Sequence, residues 1–267
     1  MISPKLFPLK SSCLNLQTLY RSINYKVLGV ENQVIEVTLE PGEKIQANPT
    51  SIMYQDQGIE VSTKAKGGFR KSISRMFIGE SFLLMNAKNT TNETKKLILT
   101  KKYPGEIFPL ELDEKSWVID RGTFLGSTTD IDFQSKWLGF KIGLFTRKTL
   151  SIEKLIKTDP QKKNSIAFCS CGGSSIKRQL KPDEKILVSS SHLVAFNESV
   201  KIQAKWIKGF WNKLVGYRSL FEISLTGPGD VILQTNPFND FMNLIQSKIV
   251  TYSNNYYDFD KRDDDDY

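Results

Sequence analysis

Leu39-Glu40-Pro41-Gly42-Glu43-Lys44 decides the fold, because its frame Leu-x-x-x-Glu-Lys returns as Leu110…Glu114-Lys115 and Leu180…Glu184-Lys185. The copies step by 71 and then 70 residues, and a Gly-Phe pair keeps the same step at Gly68-Phe69, Gly139-Phe140 and Gly209-Phe210. Two markers in phase over three copies mean a triplicated unit, each copy burying its apolar face against its sisters. The phrase itself reads as a turn before a strand, since Pro41-Gly42 and Pro182-Asp183 precede the glutamate in two copies.

The alternation inside each copy is that of β-structure. Val200-Lys201-Ile202-Gln203-Ala204-Lys205-Trp206 has strict period two, and shorter runs such as Ser51–Tyr54, Ile59–Ser62, Ile131–Phe133 and Leu193–Phe196 sit between turn residues. Further strand-like runs are read at Ser81–Asn86, Leu97–Thr100, Ile166–Cys169, Phe221–Leu225 and Val231–Gln234. Helical spacing occurs at Phe241, Leu244, Ile245 and Ile249, giving a helix over 239–251. The expected fold is all-β: three internal repeats of about 70 residues in a pseudo-threefold β-sandwich or prism, with a short C-terminal helix. Residues 1–30 form an N-terminal segment and 31–237 the triplicated domain, with repeats at about 31–105, 106–175 and 176–237. Residues 238–267 hold the helix and an acidic tail ending in Asp263 to Asp266.

A net charge of +8 over 267 residues admits polyanionic partners. Residues 1–30 carry Lys5, Lys10, Arg21 and Lys26 before the first acid at Glu31, a composition that fits a mitochondrial transit peptide, although Pro4 and Pro8 interrupt its helix. Residues 1 to about 25 have no clear partner strand. Nothing approaches the roughly 18 uninterrupted apolar residues of a spanning helix.

Catalytic chemistry finds no constellation. His192 is the single histidine, and its neighbour Ser191 is expected on the opposite face of a strand. The three cysteines are odd in number, and Cys169 and Cys171 are badly spaced for a mutual disulfide along one strand. Structural zinc wants four ligands, which this sequence does not cluster. The expectation is a protein that is not an enzyme, with no metal and no cofactor.

In order and spacing, Ser51–Tyr54, Lys66–Phe69, Gly79–Phe82, Tyr103-Pro104-Gly105, His192–Phe196 and Thr226–Gly229 followed by Leu233-Gln234-Thr235 resemble the altered-inheritance-of-mitochondria 24 family. The resemblance runs over residues 33 to 236. It implies a fold like that of the tryptophan RNA-binding attenuator protein, oligomers in bacterial members, and in fungal members a mitochondrial location tied to inner-membrane organisation. It implies no reaction. The chain departs from the family pattern at Phe145–Lys148, at Gly216–Ser219 and in the polar insertion Lys157–Asn164.

The candidate binding residues open at each Gly-Phe marker. They are Phe69, Arg70 and Lys71, then Trp137, Phe140 and Lys141, then Phe210, Trp211 and Lys213. Shared repeat phase places these basic-aromatic segments at equivalent positions, around one rim if the threefold closes. Cations and aromatics together suit an anionic membrane surface or a membrane-associated complex. They also suit single-stranded RNA, the weaker reading because fold does not transfer function. The bland alternative is aromatic plugs between sheets with solvated lysines. A mitochondrial location is expected, with the cytoplasm as the alternative, and a homo-oligomer is a further expected partner state.

Overall fold

The computed structural model describes residues 23–63, 84–135, 152–206, 221–246 and 248–249. Strand β1 (Asn24–Leu28) comes first. A first unit follows as β2 (Val34–Leu39), β3 (Lys44–Ala47), a 3-10 turn at Pro49–Ser51, β4 (Ile52–Gln55), β5 (Ile59–Thr63), β6 (Met85–Asn89) and β7 (Lys95–Thr100). The second is β8 (Ile107–Glu111), β9 (Trp117–Asp120), a turn at Arg121–Thr123, β10 (Phe124–Thr128), β11 (Ile131–Ser135), β12 (Ile152–Lys157) and β13 (Ile166–Ser170). The third is β14 (Ser175–Leu180), β15 (Lys185–Ser189), a turn at Ser190–His192, β16 (Leu193–Asn197), β17 (Lys201–Trp206), β18 (Phe221–Thr226) and β19 (Gly229–Gln234). Helix α1 (238–246) closes this part of the chain.

Pairing inside the units is the same each time. The first, sixth and third strands make one antiparallel layer, β2-β7-β4, β8-β13-β10 and β14-β19-β16. The fourth, fifth and second make another, β5-β6-β3, β11-β12-β9 and β17-β18-β15. One irregularity recurs with them: the register slips between Ile52 and Tyr54, Phe124 and Gly126, and Leu193 and Ala195. A bulge that keeps its place through three copies is a built feature that bends the strand.

Consecutive units are sewn together by their second and third strands. β3 pairs with β10, setting Ala47 opposite Gly126, and β9 pairs with β16, setting Ile119 opposite Ala195. Two six-stranded sheets result. The sequence shows why such strands survive burial: Leu97-Ile98-Leu99 in β7 and Ile166-Ala167-Phe168 in β13 are apolar without alternation and buried throughout. That is the pattern of a strand covered on both faces. Phe168 thus packs with the first unit's core while its neighbours Ala167 and Cys169 pack with the second's.

The all-β reading with a short C-terminal helix stands. β6 lies at Met85–Asn89 where the sequence suggested Ser81–Asn86, of which 81–83 fall outside the described residues. Strand pairing also begins inside the N-terminal segment: β1 pairs with β2, and Ile23 is buried while Tyr25 and Val27 pack on the first core. The alternating apolar side chains of that segment supply a face that an unpartnered chain end would leave in water. A closed threefold prism would also need β15 paired with β4. Among the described residues these two strands are each paired on one side alone, β4 with β7 and β15 with β18.

Candidate functional site

All nine candidate residues, Phe69, Arg70, Lys71, Trp137, Phe140, Lys141, Phe210, Trp211 and Lys213, lie outside the described residues. What is described is where their segments start and finish. Residues 64–83 join β5 to β6, 136–151 join β11 to β12, and 207–220 join β17 to β18. The flanking strands pair antiparallel up to Thr63 with Met85, Ser135 with Glu153 and Trp206 with Phe221. Each segment therefore leaves and rejoins its sheet at adjacent positions, beside an edge strand (β5, β11 or β17). Together these three connections hold twelve Lys and Arg against Glu80 alone, a surplus larger than the +8 of the whole chain. The positive charge of this protein is thus concentrated in three equivalent connections.

A second feature escaped the sequence reading. The turn after β8 and the face of β14 enclose an open cleft of about 780 Å³, with a neighbouring hollow of about 700 Å³ behind Trp117. Lys115, the lysine of the second Leu-x-x-x-Glu-Lys phrase, spans it to Asp230 at 2.5 Å. Asp230 also donates its backbone N–H to the Asn197 side-chain oxygen at 2.7 Å. Trp117 gives its indole N–H to the Glu111 carbonyl at 3.0 Å. Burial opposes ionisation of Asp113, but Lys157 and the amides of Asn164 and Ser165 outweigh it and hold the carboxyl below the usual range. These charges are engaged with one another and brace the second unit against the third. Lys115 and Asp230 are too distant in sequence for spacing to reveal them.

Reactive groups elsewhere are quenched by their surroundings. Cys169 and Cys171 are free and buried, and burial pushes their thiols up to about 12 and about 11. Ser191 and His192 sit on a 3-10 turn, which corrects the expected strand placement. Ser191 Oγ donates to Asp240 Oδ2 at 2.8 Å, and His192 Nδ1 lies 2.7 Å from the Gln234 carbonyl. Lys101 is unusual: its buried ammonium lies 4.2 Å from the Tyr103 ring centre without a hydrogen-bond partner, and burial pulls it down to about 8. Tyr103 in turn stacks on Phe238 at 4.5 Å, anchoring the start of α1. Among the described residues no three His, Cys, Asp or Glu side chains gather where a metal could sit, and no helix is long and apolar enough to cross a membrane.

These features define an all-β protein of edge-joined sandwiches whose three most basic connections issue from one hairpin type. The chain belongs to the family described as Mitochondrial biogenesis AIM24, whose model matches residues 25–236. It is 23% identical over 235 residues to an uncharacterized protein of Streptococcus pyogenes serotype M6, covering 83% of this chain and 88% of that one. The crystal structure of a Streptococcus pyogenes protein superposes with a TM-score of 0.66 at 19% identity, over 85% of this chain and 99% of the other. At that identity the likeness concerns the fold.

Proposed function

We propose that this chain is a non-enzymatic β-scaffold that docks on the anionic surface of a mitochondrial membrane through its three basic-aromatic connections, and so supports inner-membrane organisation. The observation that carries the reading is the concentration of twelve cations against one acid in three connections that issue from the same hairpin of each unit. Each cation near an anionic bilayer contributes about 1 kcal/mol, and aromatics such as Trp137 and Trp211 seat at headgroup depth. The two joints between units are alike, and repeating one joint generates one axis. On this reading the units follow one another by a single repeated step and turn their connections toward a common side. The family's description and the acid-free N-terminal segment support the mitochondrial location.

The test is co-sedimentation of the full chain with vesicles containing about 20% cardiolipin or none, at moderate salt. Binding to the anionic vesicles is expected, and it should disappear when Arg70, Lys71, Lys141 and Lys213 are all replaced by Glu while the circular dichroism spectrum is unchanged. Equal binding by parent and variant, or none by the parent, overturns the membrane reading. Retention of single-stranded RNA by the same preparation, lost in the same variant, would move the assignment to nucleic acid.

A further inference from the structure

We propose that a second copy of this chain supplies the missing joint: β15 of one molecule pairs antiparallel with β4 of the next, giving head-to-tail assembly. The chain makes this kind of joint twice for itself, second strand to third strand, at β3–β10 and β9–β16. In each, a residue two before the 3-10 turn faces the third residue of the following unit's third strand, as Ala47 faces Gly126 and Ile119 faces Ala195. The same rule applied to the two unpaired edges sets Val188 opposite Tyr54. Among the described residues one β4 edge and one β15 edge remain unpaired, and they are the two halves of the contact the fold uses elsewhere.

The burial at these edges is that of a joint left open. Leu125 and Val194, the bulge residues of β10 and β16, are 2% and 1% exposed, whereas Met53, which holds that place in β4, is 61% exposed. Gln46 and Val118, one residue before the facing position, are fully buried, whereas their counterpart Leu187 is 49% exposed. Water therefore reaches apolar side chains that the other two joints cover. A free strand edge with an apolar rim is a template for another strand.

Tyr54 favours a separate molecule over closure of one chain on itself. Its counterparts are Gly126 and Ala195, and a Cβ placed on Gly126 would lie 2.8 Å from both the Gln46 carbonyl oxygen and Leu99 Cδ1. The joint at Gly126 leaves no room for a Cβ, and the joint at Ala195 holds a single methyl. A phenol does not fit a third copy of that geometry within a chain whose units are already fixed by two joints. Between separate molecules the ladder alone is imposed, and the sheets can splay to admit the ring. Since the two faces differ, the contact is heterologous and extends into a ring or a filament.

Light scattering on the full chain across a concentration series tests this, with the exposed residues changed singly. The parent is expected to assemble as concentration rises, and Met53→Lys and Leu187→Lys each to be monomeric with unchanged circular dichroism. An equimolar mixture of the two should give a one-to-one dimer, because the first retains an intact β15 and the second an intact β4. A parent that stays monomeric, single variants that still assemble, or a mixture that remains monomeric overturns the proposal. In a Cys13→Ser background, Tyr54→Cys with Val188→Cys should oxidise to a ladder of linked chains. A disulfide confined to one chain means self-closure, and no disulfide means no joint; either result overturns it.

Discussion

The Glu184 carboxylate accepts the backbone N–H of Lys181 at 2.9 Å, three residues earlier, and so ties off the turn between β14 and β15. Glu43 does the same for Glu40 at 3.0 Å in the turn between β2 and β3. Between them sits a residue in the left-handed region, Asp183 at φ 62° or Gly42 at φ 77°, which Asp and Gly tolerate best. The recurring Glu-Lys phrase is a self-capped turn. The second copy departs from it, with Asp113 accepting the Asn164 amide at 2.6 Å.

This cap makes stability depend on pH in a defined direction. The Lys181 amide, followed by Arg178, holds the Glu184 carboxyl below its ordinary value of 4.5 in the folded chain. The stabilisation is therefore present above the unfolded value and is lost as pH falls through the folded one. Thermal melts should show Glu184→Gln below the parent in Tm at pH 7, with the gap closing as pH falls from about 4.5 into the range where the folded carboxyl takes up its proton. A gap that is constant across this range would refute the cap.

Gly126 should resist replacement by a larger residue. Gly126→Val forces a branched side chain against the Gln46 carbonyl and Leu99, and should lower stability by about 1–3 kcal/mol in urea titrations. Gly122→Ala is the matched control, because its Cβ would meet nothing closer than Asp120 Oδ2 at 3.7 Å.

Lys101 is expected to destabilise the fold at neutral pH. Burial lowers its ammonium to about 8 against an ordinary 10.5, so the unfolded chain binds more protons between these values and stability rises with pH across that window. Lys101→Met should remove this slope and raise stability at pH 7 by roughly 1–2 kcal/mol, the lost contact with Tyr103 offsetting part of the gain. Urea titrations at pH 7 and 10 measure both effects.

The two buried thiols should be inert in the folded chain. With Cys169 and Cys171 pushed up to about 12 and about 11, iodoacetamide at pH 8 should leave both thiols of their shared peptide unmodified in native buffer and label both in denaturant. Peptide mass spectrometry reads the outcome, and native labelling of Cys169 would mean that the core opens.

Val200–Trp206 disclosed its strand because period two records a face in water and a face toward the core, with Val200 and Ile202 on the third core, a local property. The strand at Asn24–Leu28 alternates as well, but its partner β2 could not be read from five residues near a chain end. The joints were illegible for a deeper reason: nothing around Gly126 announces that Ala47 will lie opposite, since pairing between units is decided by packing. The basic-aromatic chemistry around Arg70, Lys141 and Lys213 was visible as composition, and the hairpin stems now show where each segment is rooted. Lys115 with Asp230, and Lys101 with Tyr103 and Phe238, have no periodic signature at all.

The pairing of β3 with β10 also sets a timetable for biosynthesis. Ala47 cannot meet Gly126 until roughly 80 further residues have left the ribosome, and Ile119 waits about as long for Ala195, separations that slow folding through loop-closure entropy. No unit can finish its long sheet alone. The nascent chain must hold one apolar strand edge unsatisfied while the next unit is translated, so holdase chaperones should matter more for the yield of this protein than for a sandwich whose strands all pair within one unit.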